Sequence, residues 1–475
     1  MVFGLALAFF LISLVFLATS SWDQWQLDKD APLDVDDLPL PWAGYGSSTV
    51  SLSALFGAYS ATLLVLGPAC FTGVVLGVLG GLLLTGRWIS RLSQVTSKFQ
   101  ELLFSSTIFK DPRPDRIYWL LLSAAQFGLA ISELVLLQQV FRRGLGFTQP
   151  YSIAATLAIA LVCYFYCLLT GYQAVFRTDV LQYIVLLAVC VLLLLLPSSL
   201  NETSEQPLDA RQSISAVPFG PEYLALPTVL RGLLDLLVGI SLGMMPILGA
   251  PDTWKRVLLL QQKHGTGKAS LILLAAAAAP LVIVLLLFSH VASESAAGMF
   301  PLRFIFSTDS IFVRALLLFG MISAFMSTFD SANVSGVHIL LKIKPLLPMK
   351  EHSERQRFHI LLGCLFSILA FLFVAFSERL PHPYTVGIFL LGPVGIVVGL
   401  LTGTSLGIRR IAGSWPMSVA VASLVLWTGI FYYYWTLPDN DKNPATALAP
   451  VGIGASFYFL FWIFGRMASR PQKGG

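Results

Sequence analysis

The sequence predicts an all-α integral membrane protein with roughly thirteen spanning helices. Three observations lead there. Apolar stretches of about 20 residues recur from end to end, each enough to cross a ~30 Å hydrocarbon core as a helix. Of 475 residues, 56% are hydrophobic and only 12% charged, with a mean hydropathy of +0.78; a soluble domain is nearer about a quarter charged. Finally, no polar segment is long enough for a separate soluble domain, so the chain reads as one membrane domain.

The elements follow in order. The first span, 2–19, has no basic run before it and no clear small-residue cleavage site after it, so a retained helix is expected rather than a cleaved signal. An acidic stretch, 22–46, carries Asp23, Asp28, Asp30, Asp34, Asp36 and Asp37. Further spans are expected near 51–67, 69–86, 117–141, 151–169, 176–197, 229–249, 269–291, 311–341, 358–376, 384–408, 415–436 and 446–465. With the amino terminus outside and the spans alternating, most of the 30 lysines and arginines fall in inward segments, as the positive-inside rule asks. The carboxyl terminus is then cytoplasmic, and the inner membrane is the expected location. The net charge of +5 is scattered over loops, which argues against a nucleic-acid partner. Cys70, Cys163, Cys167, Cys190 and Cys364 all lie in apolar segments and read as buried, reduced thiols.

Within the 311–341 span, Ser327, Thr328, Asp330 and Ser331 place hydroxyls and a carboxylate on about one and a half helical turns. A charge in hydrocarbon costs at least ~2.5–3.5 kcal/mol, so it faces a partner, an ion or a water-filled path. Oxygen-only ligands suit a hard cation. Helix breakers add to this. Gly57 sits among Ser47, Ser48, Ser51, Ser53 and Ser60, ahead of Gly67-Pro68; five spans later come Gly239, Gly243, Pro246, Gly249 and Pro251. Interrupted helices at corresponding places in two halves point to a transporter with inverted repeats and a midplane site. Gly and Pro are also common in membrane helices as packing faces and kinks, the competing reading.

Several motifs carry a family resemblance. Gly171, Ala174-Val175 and Thr178-Asp179-Val180 followed by Gln182 resemble a signature of the sodium/solute symporter family, which includes proline, pantothenate, sugar and sialic acid carriers. Met326-Ser327-Thr328 with Asp330-Ser331 is similar to that family's eighth core helix, Pro251 with Trp254 and Arg256 to its loop after the sixth, and Leu52-Ser53-Ala54 through Tyr59-Ser60-Ala61 to its first. The resemblance implies a leucine-transporter-type five-plus-five inverted repeat. Its first repeat would occupy 51–197 and its second 229–408, after an extra helix (1–20) and the acidic loop (21–50). An external loop (198–228) would join the repeats, and extra helices with a short cytoplasmic tail (409–475) would follow.

By the same resemblance, one sodium ion is held by the backbone carbonyls of Phe56, Tyr59 and Ala324 and the hydroxyls of Ser327 and Thr328. Five neutral oxygens replace part of the hydration shell without binding the ion too tightly for release. A second sodium would use Asp179, Ser327, Asp330 and Ser331. The alternatives are that Asp179 lines the ion's exit or pairs with Arg177, and that Asp330 serves helix packing. A small organic solute would meet Ser60, Gln126, Met245 and Tyr384, with Glu133 and Phe389 as further candidates. Met244, Met245 and Pro246 stand where several relatives carry an aromatic gate, and Ala58 where proline carriers have an aspartate, so proline specificity does not transfer.

The predicted function is sodium-coupled symport of a small organic solute, with lipid as the surrounding partner and no obligate protein partner. A symporter-derived sensor or a proton-coupled carrier is the alternative. No signalling module is expected after the last span. An enzyme is not expected: His290, His338 and His359 form no metal-ligand pair, and no Gly-x-Ser-x-Gly elbow is present.

Overall fold

The computed structural model describes residues 2–9, 11, 68–93, 112–170, 172–195, 227–248, 250–265, 310–342 and 354–377, with isolated positions between 268 and 277. Its described elements are helical throughout. They are α1 (Pro68–Ser93), α2 (Pro112–Gln139), α3 (Gln149–Thr170), α4 (Tyr172–Leu195), α5 (Thr228–Leu248), α6 (Pro251–His264), α7 (Ile311–Lys342) and α8 (Glu354–Phe376). A π-helical turn, Val140–Gly144, extends α2. Five of the described helices are long and apolar enough to cross a membrane: Pro68–Arg87, Leu122–Arg142, Gln149–Leu168, Ile311–Leu341 and Gln356–Ala375. These coincide with spans expected from the sequence, and the chain is a multi-pass membrane protein. The acidic loop, the external loop and the spans beyond residue 377 lie outside the described residues.

The centre is α7. Its 32 residues reach about 48 Å at ~1.5 Å per residue. Residues 315–339 are almost continuously buried, so the helix is surrounded by others, its polar side chains included. α2, α3, α4, α6 and α8 all pack on it. Small residues bring partners close. A Cβ on Gly336 would meet the Phe127 ring of α2, and one on Gly320 would lie 2.7 Å from a Val189 methyl of α4. Ser123 of α2 adds a hydrogen bond to the Gly336 carbonyl at 3.0 Å.

α1 and α5 make the tightest pair. Lipid tails are as apolar as leucine, so helices associate in a bilayer by close van der Waals packing, which small residues permit. Here the two backbones touch. A Cβ on Gly239 would strike the Cys70 carbonyl, on Gly243 the Val74 carbonyl, on Gly73 the Leu236 carbonyl and on Gly77 the Ile240 carbonyl. This corrects the expectation that Gly239, Gly243 and Pro246 interrupt a helix: α5 runs unbroken through all three, and the two glycines form a packing face. Pro68 is the first described residue of α1, and Gly57 lies outside the described residues.

The interruption comes two turns later. Ala250 is extended (φ −102°, ψ 102°), and Pro251 starts α6. Trp254 satisfies a carbonyl freed at the break, its Nε1 donating to Leu248 at 2.8 Å. Irregular backbone is tolerated at membrane depth only where protein or a cavity surrounds it, and residues 251–261 are buried without exception. The segment read as a loop is therefore a buried helix. Lys255 and Arg256, counted among inward loop charges, are 0% and 1% exposed. Gln261 ties α6 to α1 through the Gly86 carbonyl at 2.7 Å, and Gly265 closes α6 with a positive φ of 76°. Cys70, Cys163 and Cys167 are buried free thiols as expected, whereas Cys364 lies on the exposed face of α8.

Candidate functional site

The hydroxyls and carboxylate of α7 fall on one face because Ala324, Ser327 and Ser331 are spaced by three and four residues. Ser327, Asp330 and Ser331 are 1%, 1% and 4% exposed. Against them α4 brings Thr178 and Asp179, the latter fully buried. The residues expected around a second sodium therefore converge. Ser327 donates to Asp179 Oδ1 at 3.1 Å, and Thr178 lies 3.4 Å from Asp330 Oδ2.

Two further side chains complete the cluster, and neither was among the expected ligands. Arg256 enters from α6. Its Nη2 is 2.5 Å from Asp179 Oδ2 and 3.3 Å from Ser331 Oγ, and 3.6 Å from Asp252 Oδ2 on its own helix. Tyr166 enters from α3 and donates to Asp330 Oδ2. The backbone N–H of Ser331 lies 2.6 Å from the other Asp330 oxygen. Charge demand explains both. A buried carboxylate needs a paired cation or several donors: Asp179 takes the guanidinium and a hydroxyl, Asp330 takes donors. A second cation at ~4 Å from Arg256 would meet ~4 kcal/mol of repulsion at an effective dielectric of 20.

The signal for Arg256 was present in the sequence as a cation inside a helix-forming, apolar stretch, Val257–Leu260, that was assigned to a loop. Tyr166 could have been sought as the donor that a mid-span aspartate requires.

The first-sodium residues are only partly within the described structure. Ala324 is fully buried, Thr328 on the next turn is half-buried, and Phe56 and Tyr59 lie outside the described residues. Ser327 donates its proton to Asp179 Oδ1. Of the solute candidates, Gln126 is buried on α2 at 2% exposure. Ser60 and Tyr384 lie outside the described residues; Met245 is on α5, within its last turn. A further amide stands out: Gln182, 3% exposed on α4 and one turn beyond Asp179, has no hydrogen-bond partner for either terminal atom among the described residues. An unsatisfied buried polar group costs about 1–3 kcal/mol, so a ligand or water is its natural partner.

No protein-family model matches the chain, and no curated protein sequence does. Solved structures do. A Na+-coupled sialic acid symporter in a substrate-bound outward-open state aligns over 98% of this chain and 98% of its own, with 14% identity and a TM-score of 0.55. The Eremococcus coleocola manganese transporter aligns over 90% of this chain and 94% of its own, with 12% identity and a TM-score of 0.50. The chain is similar in fold to these two transporters. Both similar structures are nearly full-length matches, so the resemblance covers the whole membrane domain rather than a shared helix pair.

Proposed function

We propose that the protein is a sodium-coupled symporter that imports a small organic solute across the inner membrane by alternating access, with its amino terminus outside. The observation that carries this reading is the buried polar face of α7, where Ser327, Asp330 and Ser331 gather against Asp179 of α4 and Ser327 donates to its carboxylate. It is supported by a fold shared over 98% of the chain with a Na+-coupled symporter.

In this reading sodium enters from outside and binds to the Ala324, Phe56 and Tyr59 carbonyls and the Ser327 and Thr328 hydroxyls. The solute then binds near Ser60, Gln126, Met245 and Tyr384. Closure of the outer side and opening of the inner side release both. Inward movement of one charge is worth ~2.3 kcal/mol per 100 mV of membrane potential, the driving force for uptake. Asp179 acts here as the group that orients Ser327.

Binding of radioactive sodium to the purified protein tests the assignment. Saturable binding in wild type, lost in a folded Ser327→Ala/Thr328→Ala variant, is the expected result. Equal affinity in the two proteins would place the ion elsewhere. No saturable binding in folded wild type would redirect the function to a proton-coupled carrier or a symporter-derived sensor.

A further inference from the structure

Four oxygen-bearing side chains, Asp179, Ser327, Asp330 and Ser331, converge between α4 and α7, and a cation is already among them. The Arg256 guanidinium reaches Asp179 at 2.5 Å and Ser331 at 3.3 Å through the same nitrogen. That nitrogen stands where an ion bridging the Asp179 carboxylate and the Ser331 hydroxyl would stand. We propose that Arg256 is the protein's own tethered cation at this position, so that the transporter binds one external sodium where the carboxylate pocket would otherwise take a second. The inference rests on the sodium-symport reading and deepens it by fixing the number of ions.

The local structure serves this arrangement. The break at Ala250 ends α5 and lets α6 start afresh, and Trp254 pins the break through the Leu248 carbonyl. α6 is then buried from Pro251 to Gln261, which brings Arg256 to the pocket with 1% exposure. Asp252, one turn earlier, faces the same guanidinium at 3.6 Å and steadies it from behind. Sodium and guanidinium both satisfy a carboxylate and a hydroxyl, but the guanidinium is always charged and never leaves. A transporter built this way keeps Asp179 neutralised without spending a second ion on each cycle. The remaining carboxylate, Asp330, is held by Tyr166 and the Ser331 N–H.

The number of sodium ions bound at saturation decides the matter, measured with radioactive sodium on purified protein. Wild type is expected to bind one and Arg256→Gln two, a twofold rise, because the vacated space keeps the oxygens of Asp179 and Ser331. Two ions in wild type, or an unchanged count in Arg256→Gln, would overturn the inference. The symport reading fails separately: wild type then binds none, and a single ion gained by Arg256→Gln would still uphold the tethered cation, whereas none in either protein would sink both. If Arg256→Gln does not fold, Ser331→Ala takes its place, because it removes a hydroxyl that an ion in the carboxylate pocket would need and lies outside the first sodium's ligands. One ion in that folded variant, as in wild type, upholds the assignment. Loss of the ion there would put the bound sodium in the carboxylate pocket and overturn it.

Discussion

Gly239→Ala puts the closest helix contact among the described residues to a direct test. An alanine Cβ at this position would lie 2.9 Å from the Cys70 carbonyl carbon and from Gly73 Cα, and nearer still to the Cys70 oxygen. Carbon rests comfortably at about 3.5–4.0 Å from carbon and about 3.3 Å from a carbonyl oxygen, so the oxygen contact governs and α1 and α5 must part by well over the roughly 0.6 Å that the carbon contacts alone require; the contacted atoms are backbone that cannot rotate away. Overpacking of this kind costs about 1–3 kcal/mol. Alanine returns about 1 kcal/mol through its helix propensity, leaving a net loss of up to roughly 2 kcal/mol. Gly232→Ala is the matched control on the same helix, since nothing lies within 4 Å of its Cβ position; it should gain up to about 1 kcal/mol. Thermal unfolding of the purified proteins in detergent, followed by the fraction that remains monodisperse, reads both. Gly239→Ala should melt several degrees below Gly232→Ala. Equal melting temperatures would refute the claim that the backbones are in contact.

Other consequences can be measured on the same preparation. Arg256→Met alone leaves Asp179 buried without its cation and should cost about 3–5 kcal/mol, and adding Asp179→Asn should recover most of it; additive losses in a double-mutant cycle would mean that the two do not pair. Tyr166→Phe removes a donor to the Asp330 carboxylate and should lower stability by about 1.5–3 kcal/mol, whereas an unchanged melting temperature would mean that Asp330 finds its donors elsewhere. Trp254→Phe keeps the ring and loses the bond to Leu248 at the helix break, for an expected loss of about 0.5–1.5 kcal/mol; a melting temperature equal to wild type would show that the break is held by other contacts.

Hydropathy made the spans legible because length and apolarity are local properties. The span expected at 311–341 is α7 to within a residue at each end, and 229–249 is α5 to within about one. What a glycine does is not local. Gly239 and Gly243 read equally well as an interruption or as a packing face, and only the partner helix decides; the partner carries Gly73 and Gly77 at the matching four-residue spacing. That spacing was visible in the sequence, but its pairing with α5 was not. The candidate site divides in the same way. Asp179, Ser327, Asp330 and Ser331 could be grouped from the sequence through a family resemblance, and they do meet in space. Arg256 was misplaced because charges are ordinarily evidence of a loop in a membrane chain, and the positive-inside rule counts them so. The rule fails where a cation has carboxylates to meet. Asp179 and Asp330 were already expected at membrane depth, and two buried carboxylates demand positive charge, donors or ions. That demand could have been turned on the nearest arginine that lies within helix-forming, apolar sequence. The physical lesson is that charge balance inside the bilayer is a constraint on topology: once one side chain is known to be buried and ionised, a lysine or arginine beside an apolar run becomes a candidate partner before it becomes a topological marker.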